Sequence, residues 1–271
     1  MARRSRITTT LEALGRRGRA ALVCYFCVGD PDMETSRRAV LAAVEAGADL
    51  IELGVPFSDP MADGPVIQEA SQRALAAGSS LPAVLELAAE VRRNSDVPIV
   101  LFGYYNPFFR YGEADLARDA RAAGIDGLLV VDLPPEESAG LVKACRSESL
   151  DRIFLLAPTS DDSRITAVSR VASGFVYFVS VTGVTGARAE APEGIAELVG
   201  RVRDRSQLPV GVGFGISTPE QAAEVSRYGD LVIVGSALVR LMKEAGAEGA
   251  PEAMAGFVRS LAAALDATAA A

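Results

Sequence analysis

Short apolar segments rich in β-branched residues alternate with longer segments of helical spacing from residue 20 nearly to the end of the chain. The apolar segments predict eight strands: Ala20–Val28, Leu50–Gly54, Pro98–Tyr104, Gly127–Val131, Arg152–Leu156, Phe175–Ser180, Val210–Phe214 and Leu231–Val234. The segments of helical spacing predict helices around residues 34–46, 65–93, 114–123, 136–148, 162–172, 192–204, 218–227 and about 236–268. The segment 65–93 is longer than one helix because Gly78–Pro82 interrupts it. Each predicted strand therefore leads into a helix.

This alternation predicts a single (β/α)8 TIM barrel, because parallel strands buried on both faces are nearly all apolar, as these are. A doubly wound open sheet is the alternative fold for the same alternation. Residues 1–18 are expected to add an N-terminal helix that caps the barrel, and the alanine-rich tail is expected to fray from about residue 266. No linker or shift in composition divides the chain, so residues 1–271 are expected to form one domain.

The composition of the chain excludes some kinds of catalytic site and disfavours some kinds of binding partner. The 271 residues carry a net charge of −8, which disfavours nucleic acid, and the absence of histidine excludes histidine bases and most zinc sites. Two lysines, neither at the end of a predicted strand, disfavour a Schiff-base mechanism. Three cysteines are typical of a reducing cytoplasm rather than of a disulfide framework. With no signal sequence and no apolar stretch of membrane-spanning length, we expect a cytoplasmic protein without membrane contact.

The second predicted strand carries the first candidate for acid–base chemistry. Alternation places Leu50, Glu52 and Gly54 on one face of the strand and Ile51 and Leu53 on the other. If the face of Glu52 is the barrel lumen, desolvation will raise the pKa of its carboxyl towards neutrality and allow it to act as both acid and base.

Two further carboxylates, Asp59 and Asp63, follow in a proline-rich loop. An aspartate in this wetter setting is expected to stay ionised, which would give the divergent pair of carboxyls that acid–base catalysis needs. The alternative is that Glu52 pairs with an arginine and that the two aspartates only cap turns.

Glycines at the ends of the last two predicted strands indicate an anion site. Gly213 and Gly215 follow one strand, Gly235 and Ser236 follow the other, and each pair opens a helix. Backbone N–H groups at helix N-termini bind phosphate in barrels of this kind, although such glycines can also serve tight turns alone.

Two other motifs have a less specific pattern. Thr182–Gly186 predicts a glycine-hinged loop that closes over a ligand. Cys24 and Cys27 resemble a redox or metal pair, but positions three apart on a strand point to opposite faces, so inert buried cysteines are the interpretation we favour.

Four motifs resemble, in order along the chain, those of the tryptophan synthase alpha chain family: Leu53–Pro65, Tyr104–Pro107, Ser180–Gly186 and Gly213–Ser217. The resemblance extends from residue 5 to about residue 265. It implies a (β/α)8 lyase that cleaves indole-3-glycerol phosphate to indole and glyceraldehyde 3-phosphate. This retro-aldol reaction needs no metal or organic cofactor in the chain itself.

The resemblance also implies roles for individual residues. Glu52 would be the principal acid and base, Asp63 would accept a hydrogen bond from the indole N–H, and Thr185 would order that aspartate when the loop closes. The residues implied for binding are Gly186, Gly215, Gly235 and Ser236 around the phosphate, Phe214 packed against them, and Tyr25, Tyr104 and Tyr177 along the pocket walls.

A partner is implied as well, namely a pyridoxal-phosphate β subunit in an αββα heterotetramer, which Pro56, Asp59 and Asn106 would face. The chain departs from the family pattern at Cys24, Cys27 and Val181. These departures leave open a stand-alone lyase that releases free indole. A catalytically degenerate regulatory binder and a generic sugar-phosphate aldolase or isomerase stay open as well.

Overall fold

A computed structural model describes residues 5–179, 194–213 and 215–270 of the chain. In these ranges the strands form a closed parallel barrel in which each strand pairs with the next and the last pairs with the first. This closure confirms the predicted (β/α)8 barrel and excludes the open sheet. The strands are β1 (Ala21–Cys27), β2 (Leu50–Gly54), β3 (Ile99–Gly103), β4 (Gly127–Val130), β5 (Asp151–Leu156), β6 (Val176–Val179), β7 (Val210–Gly213) and β8 (Leu231–Val234).

Helices connect the strands and surround the barrel. They are α1 (Arg6–Gly15), α2 (Met33–Glu45), α3 (Pro65–Ala76), α4 (Leu81–Asn94), α5 (Tyr105–Tyr111), α6 (Glu113–Ala122), α7 (Ala139–Ser147), α8 (Asp162–Val171), α9 (Ile195–Ser206), α10 (Pro219–Val225) and α11 (Ser236–Ala269), with a 3₁₀ turn at Pro135–Glu137. The segment predicted at 65–93 is divided into α3 and α4, and α5 is a helix that the periodicity did not predict.

Side chains along each strand alternate between two layers of the core. Those of Leu22, Cys24 and Phe26 point outwards and pack with the surrounding helices. The inward layer fills the lower barrel, where Ile7 and Leu11 of α1 join it. Because α1 packs on the amino ends of the strands, the N-terminal helix caps the barrel there, as predicted.

The C-terminal helix extends almost to the end of the chain. α11 has a kink at Gly246 (φ 68°) and then continues to Ala269, and the fraying expected from about residue 266 stays a prediction. Leu265 is 1% exposed, and the Asp266 carboxylate accepts a hydrogen bond of 2.5 Å from Nε of Arg19. Packing and this ion pair hold the tail against the barrel.

The cysteines are all free and buried, and Cys24 and Cys27 belong to different layers of the core, which confirms the interpretation that they do not form a pair. Within the described ranges, no single helix is long and apolar enough to cross a membrane. α3 and α4, bent by 97° at the break between them, meet the length and composition test as a pair.

Candidate active site

The carboxyl ends of the strands surround a cavity of about 480 Å³. Active sites of (β/α)8 enzymes lie at this end of the barrel. Side chains from β3 to β5 make one side of the cavity apolar, and the opposite side, at β7 and β8, consists of glycines, a serine and two isoleucines. Several residues predicted from the sequence lie on its wall: Tyr25, Asp63, Tyr177, Gly215, Gly235 and Ser236.

Glu52 lies in the barrel interior, beside Tyr25 of β1 and Val100 of β3 in the strand register. It is wholly buried, and in the described part of the chain neither of its carboxyl oxygens has a hydrogen-bond partner. Burial raises the pKa of the Glu52 carboxyl from its ordinary 4.5 to about 8. The carboxyl therefore holds a proton at neutral pH, and no arginine among the described residues pairs with it.

Asp63 lies in the loop between β2 and α3, where its backbone N–H donates to the carbonyl of Pro60 at 3.0 Å. The Tyr104 hydroxyl donates to the Asp63 carboxylate at 3.0 Å and accepts a hydrogen bond from the N–H of Ala62, also at 3.0 Å. Burial raises the pKa of Asp63 to about 6, although the hydrogen bond from Tyr104 lowers it. The pKa of Asp63 is thus higher than that of an ordinary aspartate, but the carboxyl is still mostly ionised at pH 7.

Two glycines make room for two tyrosines that flank the lumen. A Cβ atom on Gly54 would lie 2.5 Å from the Tyr25 hydroxyl, and a Cβ atom on Gly213 would lie 2.5 Å from the Tyr177 hydroxyl. The ring of Tyr25 also packs edge-on against Phe102, with 5.1 Å between ring centroids. Any larger residue at either glycine would displace an aromatic wall of the cavity.

The opposite end of the cavity suits an anion. α11 begins at Ser236 with Gly235 at its N-cap, and Gly215 has a positive φ of 42°. The first backbone N–H groups of a helix have no partner within the helix, and the helix dipole adds positive potential there. Because Gly215, Gly235 and Ser236 all line the cavity, a phosphate can bind there without any lysine.

The residues predicted to face a partner differ in exposure. Asp59 and Asn106 are exposed, whereas Pro56 is buried directly after β2 and offers no free surface. Two exposed apolar residues that the sequence analysis did not single out, Met61 (84% exposed) and Phe109 (63%), belong to the same two segments. Hydropathy alone cannot identify such residues, because it does not reveal which apolar side chains remain uncovered.

Part of the cavity wall was not predicted from the sequence, namely Phe102, Val131, Leu155 and Arg164. Alternation along the predicted strands was a usable signal for Phe102, which lies two residues before Tyr104. Nothing in the local pattern pointed to Arg164, which lies in the first turn of α8. Thr185, Gly186, Phe214 and Val181 lie outside the described residues.

Across the ranges that the structure describes, no group of three or more acidic or cysteine side chains is arranged to hold a metal ion.

Comparisons with known proteins agree with each other. The family model for the tryptophan synthase alpha chain matches residues 11–266. The tryptophan synthase alpha chain of Citrifermentans bemidjiense is 56% identical over 257 residues, covering 95% of this chain and 96% of that protein. That of Burkholderia multivorans is 50% identical over 266 residues, covering 97% of each chain.

Solved structures are similar over the same length. A structure of Mycobacterium tuberculosis tryptophan synthase has a TM-score of 0.89 at 41% identity, covering 97% of this chain and 99% of that one. A crystal structure of the tryptophan synthase alpha subunit from Legionella pneumophila has a TM-score of 0.90 at 39% identity, covering 98% of this chain and 100% of that one.

Proposed function

The chain belongs to the tryptophan synthase alpha chain family and is a lyase of tryptophan biosynthesis, and from this premise we propose how its barrel mouth performs the reaction. The proposed reaction cleaves indole-3-glycerol phosphate to indole and glyceraldehyde 3-phosphate. The observation that carries the proposal is the buried Glu52 carboxyl, which has no hydrogen-bond partner among the described residues.

Glu52 acts first as an acid and then as a base. Its carboxyl, whose pKa is about 8, donates a proton to C3 of the indole, which converts the ring to the protonated, positively charged form of the indolenine. The resulting carboxylate takes the proton of the hydroxyl on the glycerol carbon that is bonded to C3. The bond between C3 and the glycerol carbon then breaks, its electron pair restores the aromatic indole, and the aldehyde leaves with Glu52 protonated again.

Asp63 supports the charge that develops during this sequence. Protonation at C3 leaves a positive charge on the ring nitrogen, and an ionised Asp63 accepts a hydrogen bond from that N–H and stabilises the charge. The hydrogen bond from Tyr104 holds the Asp63 carboxylate in place. The two carboxyls thus have different protonation states at pH 7, which suits their different roles.

The substrate lies across the barrel mouth. Its phosphate binds at Gly215, Gly235 and Ser236, which line the cavity. Gly186 and Phe214, which the family resemblance implies for the same phosphate, lie outside the described residues. Its indole ring lies against the apolar side of the cavity, between the walls formed by Tyr25, Tyr104 and Tyr177. Thr185 lies outside the described residues. The role that the family resemblance implies for it is to order Asp63 over the bound substrate, so that water is excluded during the proton transfers.

A pyridoxal-phosphate β subunit is the proposed partner, in an αββα heterotetramer in the cytoplasm, and this chain itself holds no cofactor. Asp59 and Asn106 are exposed beside the barrel mouth. The exposed side chains of Met61 and Phe109 add apolar area in the same two segments, as a specific interface requires.

The test is the rate of indole release from indole-3-glycerol phosphate by the purified chain, with and without an added tryptophan synthase β subunit. We expect a slow rate that increases sharply with the β subunit. A fast rate that ignores the β subunit would indicate a stand-alone indole producer instead. Tight substrate binding with no release under either condition would refute the catalytic role and leave a regulatory binder.

A further inference from the structure

A second, smaller cavity of about 190 Å³ adjoins the substrate cavity on its β4–β5 side. The two cavities share three wall residues, Val131, Leu155 and Arg164. Val131 follows β4, Leu155 lies on β5 and Arg164 lies at the start of α8. These three side chains therefore separate the two cavities.

Arg164 is fixed in this partition at both ends. Its backbone N–H donates to the carboxylate of Asp161, the N-cap of α8, at 2.8 Å. Its guanidinium Nη1 donates to both carboxyl oxygens of Glu136, at 2.9 and 3.2 Å. Glu136 belongs to the turn that follows β4, so the ion pair bridges the loops after β4 and β5.

The partition lies at the indole end of the substrate. In the closed barrel β4 stands opposite β8, and the proposed phosphate site is at the ends of β7 and β8. A substrate anchored there extends towards Phe102, Val131 and Leu155, which offer the apolar surface that an indole ring needs. Its six-membered ring then points at the wall that contains Arg164.

We propose that Arg164, held by Glu136, closes the indole end of the substrate cavity and sets the largest aromatic group that the enzyme accepts. This inference rests on the proposed function. The substrates it concerns are indole-3-glycerol phosphates with a substituent on the six-membered ring. The space behind the wall is several times the roughly 30 Å³ that a water molecule occupies, so a bromine atom fits there once the guanidinium is removed.

The test is a comparison of wild type and Arg164→Ala on the unsubstituted substrate and on four analogues, each with one bromine on a different carbon of the six-membered ring. For at least one analogue, kcat/KM relative to the unsubstituted substrate should increase about tenfold in Arg164→Ala, which is the usual size of such a steric effect.

Two conservative variants distinguish the steric effect of the Arg164 side chain from the effect of its charge. Arg164→Lys keeps the charge and most of the length, so its relative rates should stay near those of wild type. Glu136→Gln removes the partner that holds the guanidinium, so its relative rates should lie between wild type and Arg164→Ala. Arg164→Ala is expected to fold, because the side chains of the pair are 38% and 59% exposed and such ion pairs add little to stability.

Arg201→Ala is the matched control. Arg201 of α9 pairs at 2.7 Å with Asp162, which lies on α8 as Arg164 does, and the Arg201 side chain is 40% exposed. In the described part of the chain, Arg201 lines neither of the two cavities. Its relative rates should equal those of wild type. If a folded Arg164→Ala has wild-type relative rates for all four analogues, the inference is wrong. If wild type fails to cleave the unsubstituted substrate, the proposed function is wrong instead.

Discussion

Replacing Glu52 with glutamine should abolish the lyase reaction and at the same time stabilise the protein at neutral pH. Glutamine keeps the shape of a protonated glutamate but has no proton to transfer. Removing an acid–base group of this kind costs about 10²- to 10⁴-fold in rate. The gain in stability follows because glutamine has no tendency to ionise in the unfolded chain.

The magnitude comes from the pKa of Glu52, which burial raises from 4.5 to about 8 in the folded protein. A raised folded pKa means that the stabilising contribution of the protonated group is complete below pH 4.5 and is lost as the pH increases towards 8. The loss approaches 1.4 kcal/mol per pH unit in this window. Wild type should thus lose about 2 to 3 kcal/mol relative to Glu52→Gln between pH 5 and pH 7.

The assay is urea unfolding and thermal unfolding of both proteins at pH 5 and pH 7, with indole release measured on the same native preparations. Since the comparison is between two pH values, the cost of burying either neutral side chain cancels. At about 2–4 °C per kcal/mol, the melting temperature of Glu52→Gln should gain about 5–10 °C on wild type over this range. Glu86→Gln, at an exposed position on α4, is the control and should show no such gain. An equal difference at both pH values would mean that Glu52 is ionised in the folded protein, and retained lyase activity would refute its role.

Three other substitutions test the rest of the site. Asp63→Asn should lower kcat/KM by about 10²-fold. It should also remove the loss of activity expected of wild type as the pH falls through about 6, because Asp63 is protonated with that pKa. If the variant loses activity over the same pH range as wild type, Asp63 is not the group responsible. Gly213→Ala places a Cβ atom 2.5 Å from the Tyr177 hydroxyl, so it should increase KM and destabilise the fold by about 1–3 kcal/mol in thermal unfolding. Gly200→Ala on α9, where a Cβ atom meets no other atom within 4 Å, is the control and should not destabilise the fold. Asp59→Lys should weaken binding of the β subunit in a titration followed by indole release, and unchanged affinity would place the interface elsewhere.

The alternation of apolar segments was sufficient to predict the barrel, because a parallel strand buried on both faces leaves a continuous apolar signal. It was not sufficient to decide which face of β2 points inwards. That choice depends on the closure of the barrel, which sets Glu52 beside Tyr25 and Val100 in the register. The raised pKa of Glu52 has the same origin, since residues from several strands exclude water from it.

The helix α5 shows why local pattern fails for short elements. It covers Tyr105–Tyr111, and the sequence at its start, Asn106 followed by Pro107, is also typical of a turn. Its first N–H group, that of Tyr105, donates at 2.7 Å to the carboxylate of Asp132, which lies in the loop after β4. A helix of seven residues whose cap comes from a different β/α unit has no local signature that could predict it.

The end of α11 also has a contact with a residue that is distant along the chain. Arg19, before β1, is 7% exposed and bonds to both Asp49 and Asp266, each at 2.5 Å. Asp49 also accepts the N–H of Leu22 at 2.8 Å, so one buried guanidinium connects the last helix to the first two strands. This network lies at the amino ends of the strands, away from Glu52 and the cavity. The ion pairs that connect the last helix to the first two strands are thus separated from the unpaired carboxyl of Glu52. Substitutions in the Arg19 network should therefore affect stability while leaving the pH dependence of the lyase reaction unchanged.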